Sequence, residues 1–305
     1  MAETSKPVIN IRELEGVEDF KKVQRLEREA WGLADIDVLA LTTAVATREA
    51  GALWLGAFDD ISLAGFAFAF PGLANGDLVF HSHMLAVQAK YRDTDVGYNL
   101  KLAQRKRALA IKLGDSNIRS GVVNQARISE ITWTFDPLQS KNAHLNFSKL
   151  GVLSDSYKID LYGAETSSSL HRNGTDRLWV RWPIASRRVQ ARIEKTEKKD
   201  GRTETLDALS TVRPLVMFSG QGIPKRSDLD TAVARQRIAI EIPSDIGSIE
   251  KQDPELAREW RLATRWGFIE SLKSGFFVSE FCRNVRGQQG PGTYLLEKGK
   301  LEDYV

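Results

Sequence analysis

Hydrophobic and polar positions change period several times along the chain, and each change marks an element. Residues 7–14, PVINIREL, alternate as a strand with one buried side does. In VEDFKKVQRLEREAWG the apolar Val17, Phe20, Val23, Leu26 and Trp31 recur at helical intervals, and Gly32 supplies a stop. A second helix is expected over about 36–49. Three strand-like runs follow, ALWLGAFD, SLAGFAFAFPG and DLVFHSHMLAV, separated by DD and ANGD. Short polar and glycine-containing pairs of this kind make tight turns, so the three runs predict an antiparallel meander.

Residues 85–100, LAVQAKYRDTDVGYNL, pass from strand through a polar turn into a helix expected over 96–113, with Val96, Leu100, Ala103, Leu109 and Leu113 on its apolar side. Lys101, Arg105, Lys106 and Lys112 fall largely elsewhere, as on a solvated helix face. SEITWTF (129–135) predicts a strand, and DPLQSKNAHLNFSKLG a short helix closed by Gly151. Strands near 152–160 and 177–183 complete an α/β domain over residues 1–185. Residues 186–207 are charged and poor in apolar side chains, which reads as a linker or an exposed excursion. Residues 208–305 hold a strand QRIAIEIP, a helix over 254–273 with Trp260, Trp266 and Phe268 on one face, and a strand pair GFFVSEFCRN and TYLLEKG. They predict a smaller C-terminal α/β unit.

Composition narrows the function classes. At 305 residues and 42% hydrophobic, the chain can bury a full core. Its 43 Lys and Arg against 40 Asp and Glu leave +3, too even for the dense basic face of a nucleic-acid binder. The lone Cys282 excludes an internal disulfide and a cysteine-based metal cluster within one chain, and no metal is expected. No apolar run approaches the roughly 20 residues of a membrane span, and MAETSKPVINIRELEG lacks a signal-peptide core. A soluble cytoplasmic protein is the expectation, with no membrane partner and with a homodimer compatible.

The candidate chemistry gathers around the fourth strand. A strand ending at Val87, a turn, and a helix beginning near Val96 would point free backbone N–H groups and the positive end of a helix dipole at one place, a physical anion site. His81 and His83 stand two apart on that strand, so both side chains share a face, and imidazole titrates near neutrality as proton transfer requires. A hydrogen-bonded core histidine remains the other reading of either. Asp136 directly follows the fifth strand, where it could cap the next helix or orient an amine. Asn142 and Asn146 are either surface amides or ligand contacts.

The words V-x-A-x-Y-R-D-T-D-V-G-Y-N-L, FHSHMLAV, ITWTFDPLQSKNAHLNFSKLGV and RLWVRWP occur in an order that resembles the GNAT (GCN5-related N-acetyltransferase) superfamily. They are most similar to a branch of large acyltransferase-like proteins with HSHML and WTFDPL motifs and an additional C-terminal region. The resemblance implies a GNAT fold, α/β (α+β), with a mixed, mainly antiparallel sheet splayed between its fourth and fifth strands. It implies an N-acyltransferase that moves an acyl group from acetyl-CoA or another acyl-CoA to the amine of a small molecule, an amino acid or related metabolite, by direct attack on the thioester. Leu85 and Val87 would border the pantetheine arm. Arg92, Asp93, Thr94, Asp95, Val96, Gly97 and Tyr98 would wrap the pyrophosphate, with Asn142 also contacting the cofactor. His81, His83 and Asp136 would be catalytic. Two departures stand out: Asp93 and Asp95 replace loop glycines, and Phe147 occupies the position of a tyrosine that protonates the leaving thiolate. They open a second reading, a non-catalytic GNAT-fold protein for ligand binding or assembly.

Overall fold

The computed structural model describes residues 8–74, 76–111, 128–163, 166–169, 171–197, 209, 211–220, 222–283, 285 and 290–304. Most of the connection GDSNIRSGVVNQARISE after the third helix, and residues 198–207 of the charged segment, lie outside them. By its contacts the chain forms two compact units, residues 1–132 with 167–170, and residues 133–166 with 171–305. That division differs from a boundary at 185.

The first unit contains β1 (Ile9–Glu13), α1 (Gly16–Trp31), α2 (Leu41–Glu49), β2 (Leu53–Asp59), β3 (Ser62–Ala74), β4 (Asp77–Val87), α3 (Val96–Ala110) and the beginning of β5 (Glu130–Phe135). Strands β1 to β4 pair in sequence order and antiparallel, as the alternating runs predict. Strand β5 joins β4 in parallel through Phe80–Ile131 and His81–Thr132. Successive β2 residues serve two different cores. Trp54 lies with Phe20, Val23 and Leu26 of α1 and with Phe66 and Phe68. Leu55 lies with Ala64, Ala67 and with Val96 and Leu100 of α3. A sheet covered on both faces explains why β2 and β3 read as nearly continuous apolar runs. Helix α1 ends where Gly32 takes φ 65°, its N–H bonding Arg28 O, a left-handed stop that glycine adopts without penalty.

The second unit contains the remainder of β5, α4 (Ser140–Ala143) continued by a π-helical turn (His144–Leu150), β6 (Leu153–Lys158), β7 (Arg177–Pro183), α5 (Arg187–Glu197), β8 (Pro214–Phe218), β9 (Pro224–Arg226), β10 (Arg237–Ile242), the helix Pro254–Lys273, β11 (Phe276–Cys282) and β12 (Gly292–Lys298). Its strand order is β7-β6-β11-β12-β10-β8-β9. The helix Pro254–Lys273 starts with Asp253 accepting the Leu256 N–H and with proline at the first turn, both strong start signals. Trp260 and Phe268 are fully buried on its inner face. The segment expected to be a charged linker is helical over Arg187–Glu197. Its few apolar residues suffice because Val189 and Ile193 lie on one side and are buried, while Arg188 and Arg192 both bond Glu280.

Candidate functional site

The loop between β4 and α3 turns through two residues in the left-handed region. Asp93 and Asp95 hold φ of 64° and 62°, the left-handed region that favours glycine. Asp is one of the few other residues that tolerates it, which is how the turn survives without glycine. Thr94 Oγ1 braces the turn by donating to Tyr91 O at 2.6 Å, and Tyr91 is fixed from below by its hydroxyl donating to Asp59 at 2.5 Å. Arg92, Asp93, Thr94 and Asp95 are exposed. The Asp95 side chain makes no capping bond to α3. Val96 and Tyr98 point into the core and are buried.

Gly97 differs from both aspartates. A Cβ there would stand 3.6 Å from Val87 and 3.9 Å from Leu85, ordinary contact distances. The fold therefore admits alanine at this position, and nothing in the packing of the protein demands glycine. The turn places two exposed carboxylates beside the start of α3, and their charge opposes an anion there.

His81 and His83 lie on the face of the sheet that carries Phe68 and Phe70 of β3. Their ring centroids are 6.2 Å apart, and Phe70 sits 5.4 Å from His81 and 5.9 Å from His83. The β3–β4 ladder shifts register between Phe68–Met84 and Ala69–Ser82, so His83 is the extra residue of a bulge. His81 Nδ1 is 3.1 Å from Thr132 Oγ1. Desolvation, helped by the neighbouring His83 and by Lys101, lowers the His81 pKa to about 4, so this imidazole is neutral at physiological pH. His83 keeps an edge in solvent; desolvation against the aromatic rings still lowers its pKa.

The opposite face of β4 holds a closed polar cluster that sequence reasoning missed. Lys101, expected on the solvated side of α3, is buried, and its Nζ donates to Ser82 Oγ at 2.7 Å. Ser82 Oγ donates in turn to Gln104 Oε1 at 2.9 Å. Burial pushes the Lys101 amine well below its usual range. The signal was present: a residue between two histidines on a strand must face the other way, and Lys101 and Gln104 are three apart on a helix. Glu27, in the apparently solvated LEREA stretch of α1, is also fully buried. Its Oε2 accepts the Leu39 N–H at 2.9 Å, and burial raises its pKa to about 7.

Asp136 and Asn142 belong to the second unit. Asp136 receives both guanidinium nitrogens of buried Arg261, at 2.7 and 2.9 Å, and the Leu138 N–H at 3.0 Å. Burial alone would raise its pKa, but the Arg261 charge and hydrogen bonds outweigh that and hold it below the ordinary value. The residue that caps α4 is Gln139, and Asp136 instead closes the turn before it. Asn142 is exposed on α4. Phe147 is fully buried, 6.2 Å from Phe135 and 5.7 Å from Tyr294. The Tyr294 hydroxyl donates to Pro137 O at 2.7 Å, which commits that proton to the backbone. Among the described residues no group of three or more His, Cys, Asp or Glu converges as a metal site would, and no helix is long and apolar enough to cross a membrane.

No protein-family model matches the chain, and no curated protein does at a significant level. Solved structures do. The ribosomal-protein-S18-alanine N-acetyltransferase of Escherichia coli is 14% identical, with a TM-score of 0.41 over 59% of this chain and 96% of its own. An acetyltransferase of the GNAT family from Streptococcus pneumoniae is 14% identical, with a TM-score of 0.41 over 57% and 98%. Chaetomium thermophilum Naa20, solved with a bisubstrate analogue, is 14% identical, with a TM-score of 0.44 over 62% and 90%. Likeness at this level says nothing about activity or substrate. An antiparallel β1 to β4 meander followed by a helix and a parallel β5 gives the chain the mixed, mainly antiparallel α/β sheet expected from its sequence.

Proposed function

We propose that the protein is an N-acyltransferase that transfers an acyl group from acyl-CoA to the amine of a small molecule. The observation that carries this reading is the β4–α3 loop, which keeps two residues in the left-handed conformation of a glycine-rich phosphate turn although both are aspartate. Bound acyl-CoA would supply the activated thioester. The chain's own part is to hold the pyrophosphate on the amides of residues 92–98 and at the α3 N-terminus, with Leu85 and Val87 lining the β4 edge beside it. His83, assisted by His81, would take the proton of the acceptor ammonium directly or through water. No tyrosine is assigned to the leaving thiolate; a free thiol's pKa near 8.5 makes unassisted departure feasible. The neutral state of His81 keeps it ready as an acceptor, though its low basicity makes His83 the stronger base of the two. Asp136, in the second unit and bonded to Arg261, is given no part in the proton transfer.

Two exposed carboxylates beside the loop favour a second reading, a GNAT-fold protein that no longer binds the nucleotide. A carboxylate about 6 Å from a doubly charged pyrophosphate, at an effective dielectric of roughly 40, costs on the order of 3 kcal/mol before screening by salt. Calorimetric titration with acetyl-CoA and a longer acyl-CoA separates the two readings. Saturable binding is expected, and its absence at millimolar concentration sinks the acyltransferase. In the double variant Asp93→Gly, Asp95→Gly the affinity should rise by about tenfold to a hundredfold; an unchanged affinity would show that the carboxylates do not face the phosphates.

A further inference from the structure

A second candidate site lies entirely within the second unit. A cleft of about 760 Å³ is formed along the helix Pro254–Lys273, the preceding helix Ile246–Gln252 and the turn at 172–174. That size suits a small-molecule ligand. Two of its arginines are already committed. Arg261 is clamped by Asp136 and by donation of its Nε to Asn173 O at 2.9 Å, and Arg265 is held by Asp176 at 2.7 Å. Together they make a rigid wall. Arg172 and Arg258 line the same cleft, are exposed, and have no ion pair or hydrogen bond among the described residues. Glu250, also in the lining, has an Oε1 removed from solvent with no hydrogen-bond partner among the described residues. A buried carboxylate oxygen left unpaired is costly and is resolved by a donor from a ligand. Burial raises its carboxyl above the ordinary value, and the nearby Arg172 charge offsets this only in part. With Lys251 and Glu255 at the rim, the uncommitted charges of the cleft sum to one positive.

We propose that this cleft binds a dicarboxylic amino acid, its two carboxylates taken by Arg172 and Arg258 and its ammonium by Glu250. Two free guanidinium groups and one free carboxylate call for two anionic groups and one cationic donor, and such a ligand carries the net charge of minus one that neutralises the site. Guanidinium pairs with carboxylate through two parallel hydrogen bonds, which favours this anion over a simple point charge. The inference stands apart from the acyl-transfer reading and does not need it.

The test is calorimetric titration of the full chain with L-glutamate, glutarate and 4-aminobutyrate. L-glutamate should bind saturably, and each analogue, lacking one charged group, should bind at least about tenfold more weakly. Arg172→Ala and Arg258→Ala should each weaken L-glutamate by about tenfold or more, with Arg258→Lys intermediate. Glu250→Gln should weaken L-glutamate and leave glutarate unchanged or tighter. Melting curves verify that the variants fold, which their positions at the cleft surface favour. Absence of L-glutamate binding at millimolar concentration overturns the proposal. So does equal binding of glutarate, or inorganic phosphate binding as tightly as L-glutamate, which would reduce the cleft to an unselective anion site. Acyl-CoA is titrated separately, so failure of that reading is visible independently of this one.

Discussion

The two faces of β4 carry polar residues of opposite fate. On one, His81 and His83 rest against Phe68 and Phe70 with His83 open to solvent. On the other, Ser82 sits between Lys101 and Gln104 in a cluster closed from water. The residues are neighbours in sequence, so their difference comes from what covers each side. The closed face bonds Lys101, Ser82 and Gln104 Oε1 to one another while Gln104 Nε2 is buried without a partner among the described residues, and such groups specify packing. The open face leaves imidazole nitrogens half-desolvated beside space, and such groups are suited to exchange protons with something that arrives.

Breaking each face should produce a different kind of loss. Ser82→Ala removes the oxygen shared by Lys101 and Gln104 and leaves buried polar groups short of a partner. It should cost about 2–3 kcal/mol in urea denaturation, whereas His83→Ala should cost less than about 1 kcal/mol. If both cost the same, the distinction between a structural and a functional face fails. For turnover the order reverses: His83→Ala should lower kcat by about a hundredfold while leaving acyl-CoA affinity within about twofold. Equal losses in kcat and affinity would mark His83 as part of the scaffold.

Titration sharpens the same contrast. The His81 pKa in the folded chain, about 4, lies below its ordinary 6.5. The unfolded chain therefore binds the extra proton first, and the stability linked to His81 is full above about pH 6.5 and is lost as pH falls toward 4. Partial solvation limits this to on the order of 2 kcal/mol. Glu27 runs the other way, because its pKa of about 7 exceeds the ordinary 4.5, so folding gains as pH falls from 7 toward 4.5. Denaturation measured from pH 8 to 4 should show a flatter acid limb in His81→Gln than in the parent, and a steeper one in Glu27→Gln. Parallel curves for parent and His81→Gln would show that this imidazole is not desolvated.

The smallest expected change in stability is also a test of the loop. Gly97→Ala should raise stability by about 0.5 kcal/mol through helix propensity, since the Cβ has room beside Val87 and Leu85. The same methyl should weaken acyl-CoA if its phosphates approach the backbone there. Stability gained with affinity unchanged would place the nucleotide elsewhere.

Much of the fold was legible from residue order. The alternation of β1, the helical spacing ending at Gly32 and the DD turn fixed the start of the meander because each is a local preference. The strand–loop–helix of residues 85–100 was legible for the same reason, whereas the two positions with positive φ were marked by the resemblance, in which Asp93 and Asp95 replace loop glycines. Other features were not. The charged 186–207 segment hides a helix whose two buried residues matter more than its composition. Glu27 and Lys101 look like surface charges in sequence and are buried, because burial depends on what packs over a helix and not on the residue's type. Asp136 could be read as a cap or a contact, and its commitment to Arg261, 125 residues away, is invisible to local pattern.

The sequence by itself therefore determined most elements, their order and the strand–turn–helix at residues 85–100, since these follow from short-range sterics and hydrophobic period. Only the tertiary structure decided which charges are spent. The pairing of Asp136 with Arg261, the closing of Lys101 against Ser82, and the exposure of Arg172 and Arg258 beside Glu250 all depend on groups distant in the chain. Desolvation and charge pairing act through space, and that is why they could not be read along the chain.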